Sequence, residues 1–137
     1  MLQIYFISIV VIFLGGLALV AEYLGEKRPS LASLKDYFGR KGVTVTLGFL
    51  SLIAGILKFF IRAPFDTVPV AGDLLPALVG IALGLALLMG FFKSKVSEPS
   101  ELMDKAEKMA LTYRVPLGFL GIAVAIVHFL FPGAVLL

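Results

Sequence analysis

The chain has 137 residues, of which 60% are hydrophobic and 15% are charged, and its formal net charge is +3. Soluble domains have about 45–50% apolar and about 25% charged residues, so this composition excludes an ordinary water-soluble fold. The lack of cysteine excludes disulfides and thiolate metal sites, and the single histidine, His128, excludes a multi-histidine metal site within one chain.

Four long apolar stretches, separated by three charged connections, lie at about residues 2–24, 43–61, 74–92 and 116–137. Each has roughly the 20 residues that an α-helix needs to cross a hydrocarbon core of about 30 Å. The sequence therefore predicts an all-α, polytopic membrane protein in which residues 1–137 form a single four-span transmembrane domain. We expect contact with the lipid bilayer and none with nucleic acid, because the basic residues flank spans instead of forming a stripe on a soluble face.

The first connection follows Pro29 and predicts a short interfacial helix. Leu31, Leu34 and Phe38 fall on one face of that helix, and Gly39 follows as a stop signal.

The third connection predicts a longer amphipathic helix, in which Ser97 or Ser100 can cap the start. Its apolar face consists of Leu102, Ala106, Met109 and Tyr113. On the other face, i,i+4 ion pairs are expected between Glu101 and Lys105 and between Asp104 and Lys108. This helix is interpreted either as a docking surface for a partner or as a passive linker anchored on the inner leaflet.

Basic residues set the expected topology. Five of the 12 Lys and Arg residues lie in the first connection and five in the third, whereas the middle connection carries only Arg62, with Lys58 one turn earlier. Positive residues remain cytoplasmic during insertion. We therefore expect connections 1 and 3 in the cytoplasm, the N-terminus and C-terminus outside, and a bacterial inner (cell) membrane as the location.

An internal repeat divides the chain into two halves. Residues 16–19 (Gly-Leu-Ala-Leu) recur at 84–87, and residues 47–50 (Leu-Gly-Phe-Leu) recur at 117–120 with a displacement of 70 that aligns Lys58 with His128. The spans then form two tandem helix-hairpin repeats, at about 1–62 and 68–137, with the same orientation in the membrane. Chance matching among common residues is the alternative.

Glycines predict close packing of the spans. Gly80 and Gly84 form a small-xxx-small pair, and Gly48 and Gly118 occupy equivalent positions of the two repeats. Further glycines in the spans are Gly15, Gly16, Gly55 and Gly121. Four spans are expected to be too few to bury all these faces, which favours association with a membrane-protein partner or a homo-oligomer.

A polar cluster is predicted at the outer leaflet from Lys58, Arg62, Asp66, Asp73 and His128. One interpretation is a site for a lipid headgroup phosphate or for an acidic residue of a partner. The other is snorkelling cations with structural ion pairs.

The middle of each span carries no ionisable residue, which argues against a pump or exchanger. We therefore expect a non-enzymatic integral membrane protein without a cofactor, acting as an accessory or assembly subunit of a larger membrane complex. The alternative is a small homo-oligomeric channel or transporter whose pathway lies between copies. A lipid-processing enzyme using His128, Asp66 and Asp73 is a third hypothesis.

Overall fold

The computed structural model describes residues 2–60, 74–98 and 100–131. Within these ranges the chain forms a 3-10 turn at Pro29–Leu31 and six α-helices: α1 (Leu2–Lys27), α2 (Ala32–Phe38), α3 (Lys41–Phe60), α4 (Leu74–Lys95), α5 (Glu101–Thr112) and α6 (Arg114–Leu130). These ranges contain no strand, so the all-α prediction is confirmed for them.

Three of the helices, α1, α3 and α4, are long and apolar enough to cross a membrane. The 17 residues of α6 span about 26 Å at the usual rise of 1.5 Å per residue. Taken together, α5 and α6 are also long and apolar enough to cross a membrane, although the chain bends by 63° between them. The described part of the chain therefore contains three candidate spans, or four if α5 and α6 count as one. The last residues of the predicted fourth stretch, 132–137, lie outside the described ranges.

The four long helices run up and down in chain order. The closest pairs are antiparallel, α3 with α4 and α1 with α6, and α1 also packs against α3 and α4. The most apolar 18-residue segment of each helix shows how deeply that helix is buried. The buried share of this segment is 61% in α1 and 44% in α4, but only 28% in α3. The centre of the bundle is therefore formed by α1 and α4, and α3 and α6 occupy opposite corners.

We name the two ends of the bundle by one residue each. The His128 end is where α1 and α4 begin and where α3 and α6 finish. The Arg114 end is the opposite one, where α3 and α6 begin and where α2 and α5 lie.

Glycines bring the helix backbones into direct contact. A Cβ on Gly16 of α1 would lie 2.6 Å from the carbonyl oxygen of Gly118 in α6, and a Cβ on Gly55 of α3 would lie 2.6 Å from the amide nitrogen of Ile81 in α4. Both distances are far below van der Waals contact, so no larger residue fits without moving a helix. Each closest helix pair is thus joined at a point where glycine is required.

The structure corrects the expectation that one bundle cannot bury its glycine faces. Gly90 of α4 is exposed, whereas the eight span glycines named in the sequence analysis are all buried within the single chain: Gly15, Gly16, Gly48, Gly55, Gly80, Gly84, Gly118 and Gly121. Each lies against a neighbouring helix. The faces of these eight glycines therefore give no argument for association with a partner, because the four helices of one chain already pack against them.

The outward faces of the bundle are apolar. Ile7, Ile53, Leu85 and Ile126, one from each long helix, are 58, 52, 44 and 46% exposed. Such an apolar surface is compatible with helices that span a membrane. Side chains such as Leu19, Leu83 and Leu88 fill the interior and are almost completely buried.

The two predicted connection helices are present as α2 and α5. The first, α2, ends before Gly39 and buries Phe38 in the core, with Leu34 packed against it. The second, α5, begins after Ser100, whose Oγ accepts a hydrogen bond of 3.3 Å from the amide of Met103. The predicted apolar face of α2 thus packs onto the bundle.

The apolar face of α5 behaves differently, since it points away from the bundle. Leu102, Met109 and Tyr113 are 76, 61 and 58% exposed. The expected ion pairs along α5 are wrong. Among the described residues, Asp104 pairs instead with Lys93 at the end of α4, at 3.1 Å.

The substitution Gly16→Ala tests the glycine contact. The added methyl group would meet backbone atoms of α6, so we expect the free energy of unfolding to fall by about 1–3 kcal/mol, as for other overpacked sites. Unfolding in mixed micelles with increasing denaturing detergent, followed by circular dichroism, gives the measurement.

The matched control is Gly90→Ala, because a Cβ there meets nothing within 4 Å. This exposed helical position should gain roughly 0.5–1 kcal/mol from the better helix propensity of alanine. Equal effects at the two positions would contradict the close approach of α1 and α6.

Candidate functional site

A buried polar cluster lies at the His128 end of the bundle. The Nζ of Lys58 lies 3.0 Å from the Nε2 of His128, and it also stands over the ring of Tyr5, 5.0 Å from the ring centroid. The hydroxyl of Tyr5 donates a hydrogen bond of 2.6 Å to the carbonyl oxygen of His128. Only 7% of Lys58, 1% of His128 and 7% of Tyr5 is exposed. We call these three residues the Lys58–His128–Tyr5 cluster.

Helix ends explain why these residues meet. Tyr5 lies in the first turn of α1, and Lys58 and His128 lie in the last turns of α3 and α6. The last four carbonyls of a helix have no intrahelical partner, so the Tyr5 hydroxyl satisfies one that α6 leaves open. Cationic and imidazole side chains also suit a helix C-terminus, where the backbone dipole is negative.

The chemistry of the cluster follows from its donors and acceptors. An ammonium group has only donors, so the Nε2 of His128 accepts this hydrogen bond while Lys58 is charged. Burial of a charged or polar group costs free energy unless hydrogen bonds replace its water. The Tyr5 ring adds a cation–π contact to the same ammonium group.

Of the five residues predicted for the outer polar cluster, the structure brings Lys58 and His128 together. Arg62, Asp66 and Asp73 lie outside the described residues. Lys58 is buried inside the bundle, with 7% of its surface exposed, and both interpretations of the cluster stay predictions. Sequence reasoning missed Tyr5, whose signal is a hydroxyl-bearing ring in the first turn of an apolar span.

One further buried polar atom lies between α1 and α3. The side chain of Ser51 is fully buried, and its Oγ makes no hydrogen bond within the described part of the chain. It faces Gly15, where a Cβ would lie 2.7 Å away. Ser51 therefore fills the space that Gly15 leaves.

Polar contacts at the Arg114 end fix the surrounding helices. The Nε of Arg114 donates a hydrogen bond of 3.1 Å to the carbonyl oxygen of Leu19 in α1. Lys93 binds both Asp104 and Glu107, which holds α5 against the end of α4. The direction of α5 is thus set by a cation on another helix.

Two cavities open beside Arg114. The first, which we call the Arg114 cavity, has a volume of about 310 Å³ and lies among α1, α3, α4, α5 and α6. Lys41, Thr44, Glu107 and Arg114 supply its polar lining, and the rest of its wall is apolar. The second has a volume of about 520 Å³, lies between α1, α2 and α3, and shares Thr44 and Arg114 with the first.

The residues that the structure describes contain no group of three or more His, Asp or Glu side chains that could hold a metal ion. Neither polar region therefore presents a metal-ligand set in that part of the chain.

Comparison with known proteins gives one family match. Residues 1–128 match a protein-family model that carries no description of activity. No curated protein and no solved structure matches the chain.

The substitution Tyr5→Phe tests the cluster, because it removes only the hydroxyl that binds the His128 carbonyl. We expect the free energy of unfolding to fall by about 1 kcal/mol, the usual net worth of a hydrogen bond. Unfolding with denaturing detergent provides the value. Tyr37→Phe is the matched control, since Tyr37 is 53% exposed and should change stability by less than about 0.5 kcal/mol. A Tyr5→Phe protein as stable as wild type would contradict a structural role for this bond.

Proposed function

Since the chain belongs to the family whose model matches residues 1–128, we propose its function from its own geometry. It is an integral membrane protein of four spans, built as two tandem helix hairpins, and a non-enzymatic accessory or assembly subunit of a larger membrane complex. The observation that carries the subunit role is the fixed orientation of α5, which holds an apolar face outward at the charged end of the bundle.

Equivalent glycine contacts support the tandem repeat. Gly16 lies against Gly118 and Ile122, and Gly84, 68 positions after Gly16, lies against Leu52, which precedes Ile122 by 70 positions. The same two displacements that align the sequence therefore also relate these contacts.

The contacts of the glycines in α6 and α3 are related by the same two displacements. Gly118 lies against Leu19 and Val20, and Gly48 lies against Leu87 and Leu88. Helix pairs also correspond, because exchanging the two halves converts the α3–α4 pair into α6–α1. A pseudo-twofold axis through the bundle accounts for both observations.

The positions of two pairs of polar residues are also consistent with this pseudo-twofold axis. Lys58 and His128 are aligned by the displacement of 70 and touch each other. Thr44 and Arg114 are aligned by the same displacement and line the same two cavities. Aligned residues of two related units meet where the axis passes, so these pairs mark its two ends. The repeat units of such a pair share one orientation, with the axis along the membrane normal.

The charge distribution supports a topology for the proposed spans. Basic residues of the first and third connections lie at the Arg114 end, whereas Lys58 at the opposite end is buried in the bundle. By the positive-inside rule, the Arg114 end faces the cytoplasm and both termini lie outside. The proposed location is a bacterial inner membrane.

Contacts of α5 support the subunit role. Lys93 binds Asp104 and Glu107 on one side of this helix. On the other side, Leu102 and Met109 are 76 and 61% exposed. A helix that only linked two spans would not need an ion-pair anchor to fix its rotation. The anchored helix therefore presents a defined apolar face at the membrane surface, suited to a complementary face of a membrane-protein partner.

Cysteine labelling tests the topology, because the natural chain contains no cysteine. We expect Ser30→Cys and Ser97→Cys, both exposed at the Arg114 end, to react with a membrane-impermeant maleimide only after the cells are permeabilised. Gel shift of the labelled chain gives the measurement. Labelling of either residue in intact cells would reverse the proposed orientation.

Purification in mild detergent at native expression level tests the subunit role. We expect a second membrane polypeptide to co-migrate in fixed ratio with the wild-type chain, and to be lost from the Leu102→Gln, Met109→Gln double variant. Quantitative mass spectrometry of the purified species measures the ratio.

Lys105→Gln is the control, because it changes an exposed residue of α5 outside the apolar face and should leave the complex intact. A species containing only this chain would remove the subunit proposal. A defined homo-oligomer with a hydrated central path would replace it by a channel between copies.

A further inference from the structure

The Arg114 cavity combines a cationic rim with an apolar wall. Its volume of about 310 Å³ is at the lower end of the range for small-molecule pockets, about 300–1,000 Å³. Lys41 and Arg114 provide two positive charges, and Phe91 and its apolar neighbours form the wall. This division matches a molecule with an anionic head and a hydrocarbon body.

The charge of the cavity is positive because its acid is already neutralised. Glu107 is the acidic residue among its described lining residues, and it is bound to Lys93. No carboxylate of the described chain lies within 4.0 Å of Arg114 or Lys41. An anion that enters the cavity therefore meets two cations without competition from an ion-paired acid.

Arg114 is positioned to bind such an anion. Its Nε is held by the carbonyl oxygen of Leu19, so the guanidinium plane is fixed while the two terminal amino groups make no hydrogen bond to the described residues. A fixed guanidinium group suits bidentate binding of phosphate oxygens. Lys41 and Arg114 are also the first residues of α3 and α6, and helix N-termini add positive potential for an anion.

The apolar side of the cavity is left open by Gly90. A Cβ at this position would meet nothing within 4 Å. A glycine in an exposed helical position costs roughly 1 kcal/mol relative to alanine, and this one leaves room beside Phe91 for a chain of methylene groups.

We propose that the Arg114 cavity binds one anionic phospholipid, with its phosphate between Lys41 and Arg114 and its acyl chain along α4 past Gly90. The inference rests on the membrane location proposed above but not on the existence of a partner subunit. The bound lipid fills the space between α3 and α5 and thereby joins the anchored helix to the bilayer.

The test measures lipid binding by native mass spectrometry. The purified chain in neutral detergent is titrated separately with phosphatidylglycerol, phosphatidylcholine and inorganic phosphate. We expect one phosphatidylglycerol to bind in preference to phosphatidylcholine, and excess inorganic phosphate alone to leave no stable adduct. Lys41→Gln should weaken phosphatidylglycerol binding about tenfold, which corresponds to one charge-assisted hydrogen bond.

Gly90→Leu provides a variant that keeps both cations and fills the apolar side, and it should weaken binding of phosphatidylglycerol by a similar factor. The controls are Lys105→Gln, which removes an exposed cation outside the cavity lining, and Gly42→Leu, where a Cβ also meets nothing within 4 Å. Both controls should bind phosphatidylglycerol as wild type does. All variants are first checked for wild-type elution in size-exclusion chromatography and for unchanged unfolding.

Equal binding of phosphatidylglycerol and phosphatidylcholine, or unchanged binding in both Lys41→Gln and Gly90→Leu, would overturn the proposal. Binding of inorganic phosphate without phosphatidylglycerol would also overturn it, in favour of a free-anion site. Because each result is obtained on the isolated chain, it is independent of whether a partner subunit co-purifies.

Discussion

Direct contact between helix backbones at glycine is the constraint on which the bundle depends. Inside a bilayer, apolar side chains gain nothing by leaving lipid for protein, so helices associate through close packing and satisfied polar groups. Gly16 and Gly118 join α1 to α6, and Gly55 and Gly80 join α3 to α4. Once these two antiparallel pairs form, α1 and α4 meet at the centre, and apolar side chains cover the outer faces. The exposed isoleucines and leucines are compatible with the proposed membrane location.

Polar groups lie where the helices begin and end, and the two ends differ in what they do. At the His128 end, Lys58, His128 and Tyr5 bind one another and close the bundle with hydrogen bonds. At the Arg114 end, Arg114 and Lys41 face cavities, and Lys93 fixes α5. One end thus keeps its polar side chains in contact with one another inside the bundle, whereas the cations of the other end line cavities. The proposed lipid site and the proposed partner surface both belong to this second end.

Helical period and composition were sufficient to predict the long helices and the two helices of the connections, and they narrowed the cap of the second of these to Ser97 or Ser100, of which the structure uses Ser100. Spacing also predicted a common level for Lys58 and His128. Contacts between distant elements were not predictable. Tyr5 binds the carbonyl of a residue 123 positions away, and no local pattern encodes that partner. The rule for ion pairs along a helix failed for Asp104 because Lys93, on another helix, competes for the same carboxylate. Burial of the eight glycines named for helix packing was missed because counting small residues does not reveal which helices face each other.

Lipid as the solvent of the outer helix faces is the central claim, and tryptophan fluorescence tests it most directly, because the chain contains no tryptophan. Single replacements at Ile53, Leu85 and Ile126, all exposed, place one probe on each of three helices. In vesicles whose acyl chains carry bromine, we predict strong quenching at all three positions and little quenching by aqueous acrylamide. Quenching by acrylamide without quenching by the brominated lipid would show that water covers these faces, and would contradict a membrane-embedded bundle.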